Sequence, residues 1–312
     1  MSGKYATETL HGDKRGLDRA LAILREGGLV AVPTETVYGL AARADDDAAV
    51  AKIYAAKGRP SFNPLIVHVA SLEAARKLAH FSPEAEALAT AHWPGPLTLV
   101  LPRKPDAGLA EAVTAGLETV AIRMPKHPIF WEILQTAEFP LAATSANRSG
   151  FISPTTTAHV LASLDGRIDA VIDGGPCEAG LESTILAVRA DGTLEQLRPG
   201  PLAFDDLRHS RAGEPAIEAP GQMASHYAPG KPLRLDVKEA DGDEFLIGFG
   251  AVEGATSLSK AGNLEEAASR VYACLHEAAR SEKPRIAIAP VPRRGLGLAI
   301  NDRLARAAAP TS

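Results

Sequence analysis

The residues of this sequence best suited to chemistry are hydroxyls, amides and guanidinium groups that follow or interrupt short apolar runs. Val30-Ala31-Val32 gives way to Pro33-Thr34-Glu35-Thr36, and Leu141-Ala142-Ala143 gives way to Thr144-Ser145-Ala146-Asn147. The run TVAIRMP, 119–125, holds Arg123 among apolar residues with Thr119 at its start. Ligands of open α/β sheets bind beyond strand ends, so several strands ending in small polar residues point to a polar ligand site. Helix capping accounts for any one of these ends taken alone. Together they favour a site. A second cluster, AKGRPSFNPLIVH, flanks a glycine with Lys57 and Arg59 and carries Asn63 and His68 beyond. A point charge beside a planar fork suits the separated anionic oxygens of a polyphosphate. A helix C-terminus also favours cations and explains the pair equally well. His68, in an apolar strand, reads on its own as a core histidine.

What is missing narrows the chemistry. There is no G-x-x-x-x-G-K-[ST] loop and no G-x-G-x-x-G after the first strand, and DGGP at 173–176 reads as a turn. H-E-x-x-H and G-x-S-x-G are absent, and Cys177 and Cys274 are too far apart to form a metal-spaced pair. A nucleotide bound here must be held by a less common arrangement.

The spacing of apolar residues predicts the elements that position these groups. Leu17, Ala20, Leu21 and Leu24 recur at helical intervals over 15–26, and Gly27-Gly28 ends that helix. Residues 30–32 read as a buried strand, and helical period returns over 45–56, closing at Gly58. Further strands are expected at 64–70, 96–102, 119–125, 140–147, 169–175 and 183–188. Two acid-rich helices should precede His92, with others at 127–136 and 155–164. Strands interleaved with helices predict an α/β sheet, and hairpin-like spacing near 183–198 predicts mixed pairing. Periodicity then lapses after Leu207, where RHSRAGEPAIEAPGQMASHYAPGKP reads as an interdomain linker. PLRLDV, EFLIGFG, a helix over 264–281, RIAIAPV and a helix from Leu298 make a small α/β unit of about 80 residues.

At 312 residues the chain can bury a large domain and a small one. It is 46% hydrophobic and 23% charged, an ordinary globular balance, and its net charge of -5 excludes an overall basic footprint but not a local basic groove. No apolar run approaches the roughly 18 residues of a membrane span, and the N-terminus has no apolar signal core. Two scattered cysteines suit a reduced compartment, so the expected location is the cytoplasm, with no membrane partner.

Taken in order, VPTETVYGLAARA, KGRPSFNPLIVHV, HWPGPLTLVL, TVAIRMPKHP, TSANRSGFISPT, GLESTI and LRPG resemble the YrdC/Sua-type threonylcarbamoyl-AMP synthases over about residues 10–203. APGQMASHYAPGKPL and GLGLAINDRLARAA resemble the longer, two-domain branch of that family. The resemblance implies a twisted, mixed-sheet YrdC-like domain around a large, positively lined cavity (10–207), a linker (208–231) and a small Rossmann-like domain (232–312). It implies synthesis of L-threonylcarbamoyl-adenylate from L-threonine, bicarbonate and ATP, with pyrophosphate released. The product feeds threonylcarbamoyl modification of adenosine in tRNA through a downstream transferase machinery, and direct contact with tRNA is open.

In that chemistry threonine's amine traps carbon dioxide as a carbamate, which attacks the α-phosphorus. The substrate supplies the nucleophile, and the protein's task is to position two anions and offset their repulsion. By resemblance, the family's Lys-Arg-Ser-Asn set falls on Lys57, Arg59, Ser145 and Asn147 around the nucleotide phosphates. Asn63, Thr119, Ser153 and Arg198 match further ATP contacts, and His226 and Tyr227 match a linker motif that folds over the nucleotide. Thr36, His68, Arg123, the backbone at Ala143 and Ser183 match the threonine pocket, with Arg123 as carboxylate clamp. Mg2+ is expected to enter on the ATP phosphates with few protein ligands. Ser61-Phe62 depart from the residues often found there. Three other readings compete: a carbamoyl-adenylate-forming domain like that of hydrogenase maturation factors, a non-catalytic double-stranded RNA-binding protein, and an ATP sensor. The first usually carries zinc-finger modules, for which this chain has no cysteine clusters. Pyrophosphate release dependent on threonine and bicarbonate separates them all.

Overall fold

The computed structural model describes residues 6–189, 191–204, 207–209, 217–222 and 225–310. The chain opens with β1 (Glu8–His11), α1 (Lys14–Arg25), β2 (Val30–Val32), β3 (Gly39–Arg43), α2 (Asp47–Lys57) and β4 (Ile66–His68). It continues through α3 (Leu72–Leu78), α4 (Pro83–His92), β5 (Leu97–Pro102), α5 (Glu111–Thr114), β6 (Thr119–Arg123), α6 (Pro128–Ala137) and β7 (Leu141–Ser145). Next come α7 (Thr157–Leu164), β8 (Ala170–Asp173), β9 (Thr184–Val188), β10 (Leu194–Arg198) and β11 (Arg208–His209). The small domain holds β12 (Leu233–Arg234), β13 (Glu244–Gly248), β14 (Thr256–Ser257), α8 (Leu264–Arg280), β15 (Arg285–Ile288) and α9 (Leu296–Ala308).

Among the described residues the large sheet has 11 strands in the order β1-β8-β2-β3-β7-β4-β6-β5-β9-β10-β11. Its pairing is mixed: β4 runs parallel to β6 but antiparallel to β7, and β9 and β10 form the expected antiparallel pair. Side-chain caps mark the start of both helices that flank the first strands of the sheet. Asp13 accepts from Gly16 N at the head of α1, and Asp46 from Ala48 N and Ala49 N at the head of α2. Gly58, at φ +62°, ends α2 in the left-handed region. One layer of core packs Leu17, Leu21 and Leu24 of α1 with Phe130, Ile133 and Leu134 of α6 on the sheet.

Besides the short α5, β11 and β14, which the sequence reading does not foresee, two elements differ from the sequence expectation. The chain after Val32 does not leave the core: residues 33–38 stay buried, and the chain returns as β3, antiparallel to β2 with Val32 opposite Gly39. The N-terminal lead also forms a strand, β1, parallel to β8. Its sequence, ETLH, is mostly exposed and carries no apolar alternation by which to see it.

The small domain is a parallel sheet, β12-β15-β13-β14, packed against α8 and α9. Its core is continuous with the large domain, because Val37, Ile152 and Leu181 join the same buried cluster as Val271, Leu275 and Ile300. Of the expected linker, residues 210–216, 223 and 224 lie outside the described residues. The described parts are docked: β11 pairs with β10, Glu218 pairs with Arg189 at 2.7 Å, and Ala228 N donates to Gly150 O at 2.8 Å. Among the described residues no helix is long and apolar enough to cross a membrane.

Candidate active site

Alternate residues of neighbouring strands share one sheet face, and strand register brings polar groups together on it. His68 lies beside Arg123 in the β4–β6 pair, Ile66 opposite Ala143 in the β4–β7 pair, and Gly39 opposite Ser145 in the β3–β7 pair. All six line one cavity. The site therefore lies across a face of the sheet rather than beyond strand ends, because the mixed pairing turns neighbouring strands in opposite directions. The cavity encloses about 530 Å³ of non-atom space, part of it open to solvent.

The buried loop between β2 and β3 builds one wall. Thr34 Oγ1 accepts from Thr36 N at 3.0 Å and Val37 N at 3.1 Å, and donates to Val37 O at 2.7 Å. The two threonine hydroxyls lie 2.8 Å apart, so one donates to the other. Thr36 also stands in the cavity wall. Glu35, from the same loop, meets Arg123 Nη2 at 2.7 Å in an ion pair buried at both ends. Glu35 also accepts from Lys126 N at 3.2 Å.

Three buried arginines from three elements reach the cavity: Arg59 after α2, Arg123 at the end of β6 and Arg198 at the end of β10. Carbonyls hold all three in place, Arg123 through Gly95 O at 3.3 Å. Arg59 donates to Asn63 O at 3.1 Å and Pro64 O at 2.8 Å, while Arg198 donates to Ser183 O at 3.0 Å and Pro220 O at 3.2 Å. Burial lowers the Arg59 guanidinium to about 10, and it lowers Arg198 as well. A desolvated cation gains more from an incoming anion than a hydrated one does. His68 and His226 also line the cavity, and burial, with nearby arginines, pushes both down to about 3, so each is neutral at pH 7.

Ten of the fifteen residues singled out by sequence line this cavity: Thr36, Arg59, His68, Arg123, Ala143, Ser145, Ser183, Arg198, His226 and Tyr227. The other five are placed around it. Lys57 is buried, and its Nζ donates to the main-chain carbonyls of Ser145 and Asn147. In this arrangement it clamps the turn after β7 rather than facing the cavity. Burial, then the charge of Arg59, drives its ammonium well below the usual lysine range. Asn147 donates to Arg148 O and Phe151 O, both at 2.8 Å, and Asn63 is buried beneath Arg59. Ser153 is fully buried behind Glu182, and Thr119 stands at the opposite end of β6 from Arg123.

Sequence reasoning missed Glu35, Glu182 and Gly221. Both glutamates are carboxylates inside otherwise uncharged stretches, PTET and GLEST, a signal that a buried cation waits nearby. Gly221 has φ +85°, and a Cβ there would lie 3.1 Å from Arg198 Nη1 and 3.2 Å from Tyr227 Oη. Tyr227 is itself fully buried at φ +64°, unusual for a residue with a side chain.

Taken together, fold and site define an α/β protein with an arginine-lined cavity, one wall of which is formed by Pro220, Gly221, His226 and Tyr227 of the linker. Residues 22–200 match the Sua5/YciO/YrdC family, described as telomere recombination, and residues 192–309 match the threonylcarbamoyl-AMP synthase C-terminal domain. The threonylcarbamoyl-AMP synthase of Bacillus subtilis is 41% identical, over 97% of this chain and 95% of that protein. Its namesake from Pyrococcus abyssi is 39% identical, with 92% of each chain covered. A crystal structure of P. abyssi Sua5 complexed with L-threonine superposes with a TM-score of 0.89 at 36% identity, covering 97% of this chain and 98% of that one. The chain belongs to the threonylcarbamoyl-AMP synthase family.

Proposed function

We propose that this chain makes L-threonylcarbamoyl-AMP and pyrophosphate from L-threonine, bicarbonate and ATP. The observation that carries this reading is the convergence of Arg59, Arg123 and Arg198, all buried, on one cavity. Two polyanionic reactants must meet there, and their repulsion is offset by cations already stripped of water. Threonine's carboxylate would share the Arg123 fork with Glu35, and the hydroxyl of Thr36 in the cavity wall complements the N–H of its amine. Bicarbonate gives up hydroxide to supply carbon dioxide, which adds to the neutral amine to give a carbamate, and the amine proton leaves with that hydroxide as water. A carbamate oxygen then bonds to the α-phosphorus while the α–β bridging P–O bond breaks, and pyrophosphate leaves with its electron pair. Arg59 and Arg198, with Ser145 at the wall, suit the phosphate side of this transfer. Lys57 and Asn147 act by fixing the turn that presents Ser145. Mg2+ arrives with ATP as part of that substrate.

The reading places residues 10–207 as the catalytic domain, 208–231 as linker and 232–312 as the small domain. It places the reaction in the cytoplasm, upstream of a transferase that moves the threonylcarbamoyl group to tRNA. Pyrophosphate release from the purified chain is expected only with ATP, threonine and bicarbonate together. Equal release with threonine omitted would sink the reading.

A further inference from the structure

Nothing in the reaction proposed above uses Tyr272 or Arg303, yet both reach the cavity wall from the small domain through Glu182. Glu182 lines the cavity, and its oxygens take donors from both domains. Ser153 Oγ donates at 2.6 Å from the large domain. Tyr272 Oη of α8 lies 2.9 and 2.8 Å from the two oxygens, and Arg303 Nε of α9 donates at 2.9 Å. Arg303 is fully buried, with Nη1 on Asp302 at 2.7 Å. Burial alone would raise the Glu182 carboxyl, but the charges of Arg303 and Arg198 outweigh it and hold it near 2.

The segment around Glu182 is gripped on both sides. Gly180, at φ +66°, backs directly onto α8: a Cβ there would lie 2.5 Å from Ser269 Cα. His276 of α8 reaches Ser153 O at 3.1 Å. On the cavity side, the residue after Glu182 holds Arg198 twice, Ser183 O taking Nε and Ser183 Oγ contacting Nη2, both at 3.0 Å. As cement between domains a buried ion pair is a poor choice, since apolar packing of the same volume holds at least as well without the desolvation cost. As a geometric constraint it is a good one, because its donors and acceptors meet in a single arrangement.

We propose that Tyr272 and Arg303 are positioning residues of the reaction: acting through Glu182, the small domain fixes segment 180–183 and with it the Arg198 guanidinium on the nucleotide side of the cavity. This inference rests on the reading of the cavity as the ATP and threonine site.

The test uses the full chain with Tyr272→Phe, Arg303→Met, Glu182→Gln and the double variant Glu182→Gln/Arg303→Met, following pyrophosphate release with each substrate varied. Tyr272→Phe removes one hydroxyl that donates to a charged group, so KM for ATP should rise about tenfold. KM for threonine should stay within about twofold, because Arg123, its carboxylate clamp, is held by Glu35 and Gly95 O, outside segment 180–183. Arg303→Met strands a buried carboxylate, which Glu182→Gln in the same chain relieves, so the double variant should be no worse than Arg303→Met alone. Wild-type KM values for both substrates in Tyr272→Phe, or effects of Arg303→Met and Glu182→Gln that multiply in the double variant, would overturn the inference. A wild-type chain that releases no pyrophosphate defeats the functional reading instead. ATP affinity measured calorimetrically in Tyr272→Phe then decides the clasp, with a loss of about tenfold supporting it and wild-type affinity overturning it.

Discussion

Lys57 shows how one residue can serve a site without facing it. Its ammonium is buried and spent on the carbonyls of Ser145 and Asn147, so the turn carrying the Ser145 hydroxyl depends on it. Lys57→Met keeps the volume and removes the donor that ties Ser145 O to Asn147 O, although Ser145 O keeps Asn147 N at 3.0 Å. We expect stability to fall by about 1–3 kcal/mol and turnover to fall with it. Denaturant melts matching wild type would show that the clamp is dispensable. The pair Lys57 and Arg59 was visible in sequence as two cations around a glycine, but their division of labour was not. Only Gly58 in the left-handed region, turning the chain at the end of α2, sends Lys57 to the turn after β7 and Arg59 into the cavity. Glu182 was illegible for a different reason: its partners Tyr272 and Arg303 lie 90 and 121 residues away, beyond the reach of any local pattern.

At the scale of elements, apolar period revealed most strands and helices of the large domain, since each buried face leaves a repeat in the sequence. It failed where burial came without such a repeat. The PTET loop is buried by its own threonine hydrogen bonds, and the described parts of the linker are docked although the segment has no period. Segment 217–222 matters most in this respect. Pro220 O takes Arg198 Nη1, and Gly221 leaves room for both the Arg198 guanidinium and the Tyr227 hydroxyl. Gly221→Ala would force a side chain into the left-handed region and against Arg198 Cδ at 3.0 Å. The backbone strain costs about 1–3 kcal/mol. Because the displaced groups are those of the cavity, kcat/KM for ATP should drop by more than that loss of stability alone predicts. Nucleotide kinetics unchanged beside a lowered melting temperature would mean that the linker here only spans.

Across the whole molecule, the apolar core shared by the two domains is flanked by polar contacts whose state depends on pH. His159 of α7 and His276 of α8 stack across the interface, ring centroids 3.8 Å apart and planes within 16°. Burial is the main cause lowering both, His159 to about 4 and His276 to about 3, with Arg280 opposing protonation of each and His159 that of His276. His68 and His226 in the cavity are lowered to about 3. The unfolded chain takes up these protons near pH 6.5 while the folded chain refuses them, so stability is greatest above that pH. It should decline as pH falls from 6.5 toward 4, by on the order of 1 kcal/mol per pH unit for each fully buried histidine. Below about 4.5 the loss of Glu182's stabilisation, which persists down to its folded value near 2, adds to the slope. Denaturant melts between pH 7 and 5 isolate the histidines. His276→Phe keeps a ring against His159 but removes one proton site and its repulsion, so its stability should decline less steeply over that window. A slope identical to wild type would place the pH dependence in the cavity histidines and His127, which burial also lowers, and not in the interface stack.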